Sequence, residues 1–257
     1  MTRPLPARPI VVRGRTLGGP VPLICVPLVG KDRPGILAEV ENLNRVAPDI
    51  IELRVDAWDA IEDTDSSLDL LAEIRGLVGD LPVILTCRGH WEGGIKAVSE
   101  GAKDALYEGA IEKRLVDFVD KELSYGPEKL ARLKALSAPN GVSLIVSCHD
   151  FQRTPSMPFI YAQLARQIAC GADVAKIALM PQSEEDVLKV FEATLAVRRD
   201  FPDIPLITMS MGELGQVSRI AGGLYGADLT FAVGSAASAP GQIPVLQMRS
   251  SFDLLYR

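Results

Sequence analysis

Between residues 23 and 255 the chain repeats one pattern eight times, a short apolar run followed by a longer amphipathic segment. Strands covered on both faces read as continuous apolar runs, and strands that alternate with helices imply parallel βαβ units. The runs at 23–29, 50–56, 82–88, 116–123, 143–148, 174–180, 205–211 and 228–233 are expected strands. Helices are expected over 34–45, 66–77, 102–114, 127–137, 158–170, 184–199, 214–224 and 243–255, with Pro34 suited to a first turn and Gly171 to a stop. Eight units without a linker or low-complexity tract predict one α/β domain over 1–257, a closed (β/α)8 barrel of the TIM type. A short β-hairpin over 9–19, turning at Gly14, precedes it. An open doubly wound sheet fits the same alternation, because closure is not written in the pattern.

Such barrels carry their chemistry at the C-terminal ends of the strands. Glu52, Arg54 and Asp56 end the second run at period two, so all three are expected on one face. Arg88 ends the third and is followed by His90-Trp91-Glu92-Gly93-Gly94. The fourth carries Asp120 and Glu122, the fifth ends at His149-Asp150, and the seventh ends Met209-Ser210-Met211. The sixth, Val174-Ala175-Lys176-Ile177-Ala178-Leu179-Met180, places a lysine among apolar residues. Burial disfavours an ammonium, and a neutral amine attacks carbonyls, so Lys176 is a candidate for Schiff-base chemistry. It is also compatible with a lysine that snorkels to solvent from a strand end.

His149, one of two histidines, sits at the end of the strand beside Lys176 and is a candidate acid–base group. The carboxylates and Arg54 are equally compatible with an ion network that merely fills the barrel, Asp56 and Asp150 with turn residues, and the methionines with core packing. Arg219, within a helical segment, reads alone as a solvated charge. Gly222-Gly223 lies too late in its helix to cradle phosphate and reads as a helix stop.

A net charge of −6 argues against nucleic acid or an anionic membrane as partner, so an anionic substrate must be held by local arginines. Cys25, Cys87, Cys148 and Cys170 form no CxxC pair or zinc pattern and read as small buried hydrophobes. No run of about eighteen apolar residues spans a membrane, and Met1–Pro6 lacks the apolar core of a signal peptide. The expected location is the cytoplasm.

Together these motifs resemble the type I 3-dehydroquinate dehydratases of the shikimate pathway. The resemblance rests on Glu52-Leu53-Arg54-Val55-Asp56, Arg88 with Glu92-Gly93-Gly94, and Ser147-Cys148-His149-Asp150-Phe151. It continues through Lys176-Ile177-Ala178, Met209-Ser210-Met211 leading to Ser218-Arg219, and Ser238-Ala239-Pro240-Gly241-Gln242. It implies a (β/α)8 barrel, often a homodimer, that uses no metal or cofactor and dehydrates 3-dehydroquinate through a lysine imine. Lys176 would form the imine and His149 would move protons, with Glu92 orienting it. Arg219, Ser238 and Gln242 would hold the substrate carboxylate, and Glu52 and Arg88 its ring hydroxyls. Arg54 would oppose protonation of Lys176, and Met211 would pack on the ring. Pro27 stands where some relatives place a hydroxyl residue, and Gly89-His90-Trp91 is bulkier than in some relatives. The lysine alone also fits a class I aldolase, and the barrel alone a metabolite-binding protein that does no chemistry.

Overall fold

The computed structural model describes residues 3–256, so Met1 and Thr2 of the N-terminal stretch lie outside the described residues. The chain begins with an antiparallel hairpin, β1 (Ile10–Val12) and β2 (Arg15–Leu17). Its two turn residues, Arg13 and Gly14, have φ of 44° and 73°, the left-handed pair that suits a two-residue hairpin.

Eight parallel strands follow: β3 (Leu23–Leu28), β4 (Ile50–Arg54), β5 (Val83–Thr86), β6 (Phe118–Glu122), β7 (Ser143–Asp150), β8 (Val174–Leu179), β9 (Leu206–Ser210) and β10 (Leu229–Val233). The ladder runs β10-β3-β4-β5-β6-β7-β8-β9, with the two-residue β11 (Ile243–Pro244) against β10. Helices α1 (Arg33–Val46), α2 (Thr64–Val78), α3 (Glu100–Glu112), α4 (Pro127–Ser137), α5 (Met157–Ala169), α6 (Glu184–Asp200), α7 (Gln216–Ala221) and α8 (Val245–Leu255) alternate with them. At the seam between β9 and β10, Asp228 N donates to Leu206 O at 2.7 Å, and Asp228 Oδ2 accepts from Leu206 N at 2.8 Å. The curled sheet is thus the expected (β/α)8 barrel rather than an open sheet.

Two apolar layers build it. Residues facing outward from the strands, such as Ile51, Leu53, Leu85, Val119, Leu144 and Val146, pack with Ile36, Leu71, Ile74 and Leu106 of the helices. Inside, each strand gives one apolar residue to a common floor: Leu23, Ile50, Ile84, Phe118, Ile145, Val174, Ile207 and Leu229. Leu17 of the hairpin packs on that floor. Two residues further along, the inward positions turn polar on five strands, as Glu52, Thr86, Asp120, Ser147 and Lys176. Five strands therefore carry an apolar end that closes the barrel and a polar end toward the site, while β3, β9 and β10 continue inward with Cys25, Met209 and Phe231.

Several boundaries differ from expectation. β4 stops at Arg54, and Val55–Ala57 is a 3-10 turn, so Asp56 leaves the face shared by Glu52 and Arg54. β7 continues two residues further than expected, which puts His149 in register with Ala178 of β8. Ile243 and Pro244 extend the sheet, and α8 begins at Val245. Gly222 and Gly223 do not stop a helix at once; they lie in a 3-10 turn, Gly222–Tyr225, that continues α7. All four cysteines are free thiols, Cys25 and Cys87 buried and Cys148 and Cys170 partly so. Among the described residues no helix is long and apolar enough to cross a membrane.

Candidate active site

At the C-terminal mouth of the barrel is a cavity. The residues singled out in the sequence come together there: Glu52, Arg54, Arg88, Glu92, His149, Lys176, Met211, Arg219, Ser238 and Gln242 all line it. They come from β4, β7, β8, α7 and the loops after β5, β9 and β10, with Arg88 two residues past the end of β5 rather than at the strand end expected, so no local stretch of chain could have built it.

Lys176 is 4% exposed, and its Nζ contacts Asp120 Oδ2 at 2.7 Å and Glu52 Oε1 at 3.4 Å. The Phe231 ring lies 4.6 Å from the same nitrogen. Its neighbourhood is therefore acidic on one side and aromatic on the other, not the apolar interior that its strand suggested, and it does not snorkel to solvent. Asp120 is buried, yet Arg88 and Lys176 outweigh that burial and hold its carboxyl well below the usual range. Arg88 Nη2 lies 2.9 Å from Asp120 Oδ1, while Nη1 donates to Glu122 Oε1 at 2.8 Å and Ser147 Oγ at 2.7 Å. Ser147 in turn donates to Asp120 Oδ1 at 2.6 Å. Thr86 Oγ1 donates to Glu52 Oε1 at 2.9 Å.

His149 lies on the strand next to Lys176, two positions beyond Ser147, which is the register partner of Lys176. Burial first, then the positive charges of Arg88 and Lys176, push its imidazole well below the ordinary histidine range. A neutral ring can accept a proton at neutral pH. Nδ1 faces Glu92 Oε2 at 3.1 Å, and the same oxygen accepts from His149 N at 2.8 Å. This leaves Nε2 as the ring nitrogen not engaged by Glu92. Burial raises Glu92 to about 7, against the pull of Arg88 and a hydrogen bond from Ser124. Gly93, with φ of 85°, lets the loop lie against Phe151; a Cβ there would meet that ring at 2.3 Å.

Arg54 donates twice to Asp56, both at 2.9 Å, and reaches Gly93 O at 3.3 Å. Asp56 also accepts from Arg88 N at 3.1 Å and Ile95 N at 2.8 Å, so it ties the ends of β4 and β5 to the glycine-containing loop. It is more than a turn residue. Asp150 behaves as one, accepting from the backbone of Gln152 and Arg153. The exposed His90 points its Nδ1 at Gly94 O.

Arg219 reverses its reading as a solvated charge, being 1% exposed. It reaches Pro240 O at 2.9 Å, Phe231 O at 3.4 Å and the Met209 sulfur at 3.3 Å, with no carboxylate among these contacts. Burial alone lowers it to about 10. A desolvated guanidinium without a counter-charge is a place for an anion. Ser238 and Gln242 are bonded to each other on the loop opposite, with Gln242 Oε1 accepting from Ser238 N at 3.0 Å. Met209 and Met211 line the cavity as well as filling core.

Three contributors were not selected from the sequence as site residues. Asp120, the nearest charged neighbour of Lys176, reads from the sequence alone as barrel filling, although its period-two spacing puts it on the face of Glu122. Ser147 and Phe231 carried no signal of their own, since a serine and a phenylalanine in strands are commonplace. Only their position around the barrel puts them beside the amine.

A family model described as Type I 3-dehydroquinase matches residues 24–257. The 3-dehydroquinate dehydratase of Aromatoleum aromaticum is 41% identical over 252 residues, covering 97% of this chain and 96% of that protein. The crystal structure of 3-dehydroquinate dehydratase from Geobacillus kaustophilus is 40% identical, superimposes with a TM-score of 0.94, and is covered to 97% on both sides. A type I 3-dehydroquinate dehydratase from Clostridium difficile, with covalent modified comenic acid, is 38% identical with a TM-score of 0.93 over 97% of this chain and 98% of that one.

Proposed function

This chain belongs to the type I 3-dehydroquinase family, and from that premise we propose that it dehydrates 3-dehydroquinate to 3-dehydroshikimate through an imine on Lys176. It is a hydro-lyase that acts on a small molecule. The observation that carries the assignment of roles is the convergence, in one cavity, of a buried lysine, a neutral buried imidazole and a buried arginine that lacks a counter-anion.

Arg219 takes the substrate carboxylate, with Ser238 and Gln242 beside it. Glu52 and Arg88 hold ring hydroxyls, and Met211 packs against the ring. The neutral form of Lys176 attacks the ring ketone with its lone pair; with His149 moving protons, the two amine hydrogens leave with the ketone oxygen as water and an imine forms. The imine withdraws electrons from the adjacent carbon, so His149 Nε2 can remove a proton there, with the electron pair moving into an enamine. As those electrons return, the C–O bond to the departing hydroxyl breaks, and His149 supplies the proton that makes it water. A second water hydrolyses the imine and frees Lys176. General acid–base help of this kind is worth roughly 10²–10⁴-fold in rate. Glu92 sets the ring orientation of His149. Arg54, paired with Asp56, holds the Gly93 loop and adds positive charge near the amine. No step calls on a metal or cofactor. The reading includes a homodimer in the cytoplasm; light scattering would then return twice the chain mass of 27.7 kDa.

Borohydride added during turnover of 3-dehydroquinate reduces the imine and fixes the substrate skeleton to the protein. Peptide mapping is expected to find the adduct on Lys176, and Lys176→Ala to abolish it. His149→Ala is expected to lose turnover while still trapping some adduct. An adduct on another lysine overturns the role of Lys176.

A further inference from the structure

The segment Gly89-His90-Trp91 sets a bulky side chain directly before Glu92. His90–Glu92 forms one 3-10 turn, and the Trp91 indole lies on Gly89, where a Cβ would meet ring carbons at 2.9 Å. The Tyr125 ring stands 5.5 Å away, and Lys103 Nζ sits 5.5 Å over the indole while donating to Tyr125 Oη at 2.9 Å. Trp91 is 61% exposed, yet its ring is held by a backbone, an aromatic ring and a cation. That fixes Nε1, which donates to Ser124 Oγ at 3.2 Å. Ser124 Oγ donates to Glu92 Oε1 at 2.9 Å. An indole N–H can only donate, so the serine oxygen accepts from it and turns its own proton to the carboxylate. The other carboxylate oxygen of Glu92 serves His149.

We propose that Ser124, its hydroxyl aimed by the Trp91 indole, is a positioning residue of the dehydration that keeps the Glu92 carboxylate ionised and turned toward His149. The proposal rests on the role given to His149 above. The titratable and charged groups around Glu92 are Arg88 from the loop after β5, Glu122 from β6 and the His149 imidazole from β7, with Arg54 from β4 behind Gly93. His90 beside it is turned to Gly94 O. Burial favours the protonated acid, and the serine hydroxyl opposes it as a neutral donor on Oε1, with His149 N donating to Oε2. Without that donor Glu92 takes up a proton at higher pH, and its hold on Nδ1 changes from carboxylate to carboxylic acid.

Threonine and valine have the same shape at this position and differ in the hydroxyl, so Ser124→Thr and Ser124→Val separate the bond from the packing. Ser124→Thr is expected to keep the parental acid limb of kcat against pH. Ser124→Val is expected to move that limb up by about one pH unit and lower kcat several-fold near neutrality, with KM within about twofold. Trp91→Phe, a ring without the N–H, is expected to move the limb the same way by less. Melting temperatures identify any variant with a damaged fold. Carbon-13 titration of the Glu92 carboxyl reads the same shift without turnover. A parent that fails to dehydrate 3-dehydroquinate therefore sinks the functional reading alone. A Ser124→Val protein with parental acid limb and parental Glu92 titration sinks the role of Ser124.

Discussion

Glu92 answers to two opposed influences. It must remain a carboxylate to orient His149, yet burial raises its acid to about 7 from the ordinary 4.5. A raised folded-state value means that the native protein binds this proton more tightly than the unfolded chain does. The resulting stability is fully present below pH 4.5 and is lost as pH rises through about 7. That interval of about 2.5 pH units sets an upper bound of about 3 kcal/mol, reduced by coupling to His149. Glu92→Gln, which has no proton to lose, is therefore expected to gain stability relative to the parent between pH 5 and pH 8, while its turnover falls. Urea midpoints at the two values measure this; a parent and variant that run parallel across that range would refute it. Asp120 shows the contrary balance, because two cations next to it outweigh the burial. Period-two spacing placed Asp120 in the barrel, and the motif after Arg88 marked Glu92. Their opposite ionisation came from which cations the fold put beside them.

The strand is the element that links folding to chemistry here. Every strand gives an apolar residue to the ring that closes the floor, and on five of them the next inward residue is polar. The hairpin belongs to the floor. Leu17 is 1% exposed in the inner core, and Arg13 fastens the turn to Asp117 at 2.6 Å. Leu17→Ala is expected to cost roughly 2–4 kcal/mol through the cavity left beneath the floor. Because the site lies at the other end of the strands, kcat/KM at 25 °C is expected to stay within about twofold. A large loss of kcat/KM in a folded variant would mean that the hairpin reaches the site. The hairpin, the strand centres and the helices were legible from periodicity and turn residues. The ends of β4, β7 and α8 were not, since an apolar run does not say where pairing to a neighbour begins or stops.

At the scale of the molecule, β9 and β10 are the two strands that the ladder does not pair, and side chains close much of the seam between them. Asp228 is fully buried, accepts from Arg3 and Arg198, and also accepts from Leu206 N across the seam. Arg219 spans the same seam nearer the mouth, touching Met209 of β9 and Phe231 of β10. Asp228→Asn leaves two buried guanidiniums without their anion and is expected to cost on the order of 3–5 kcal/mol. Read as one domain over its length, the parent is expected to unfold in a single transition, and the variant in the same transition at lower urea. An unchanged midpoint would show that the seam is held elsewhere. The order of elements and the strand positions of Glu52, His149 and Lys176 were determined by the chain itself. Alternation and strand ends are local properties that one sequence displays. The tertiary structure alone decided that Asp120 pairs with Lys176, that Arg219 is buried without an anion, and that Ser124 reaches Glu92. Such choices depend on angular order around the closed barrel and on which charges share a low-dielectric space, and neither is encoded in any single stretch.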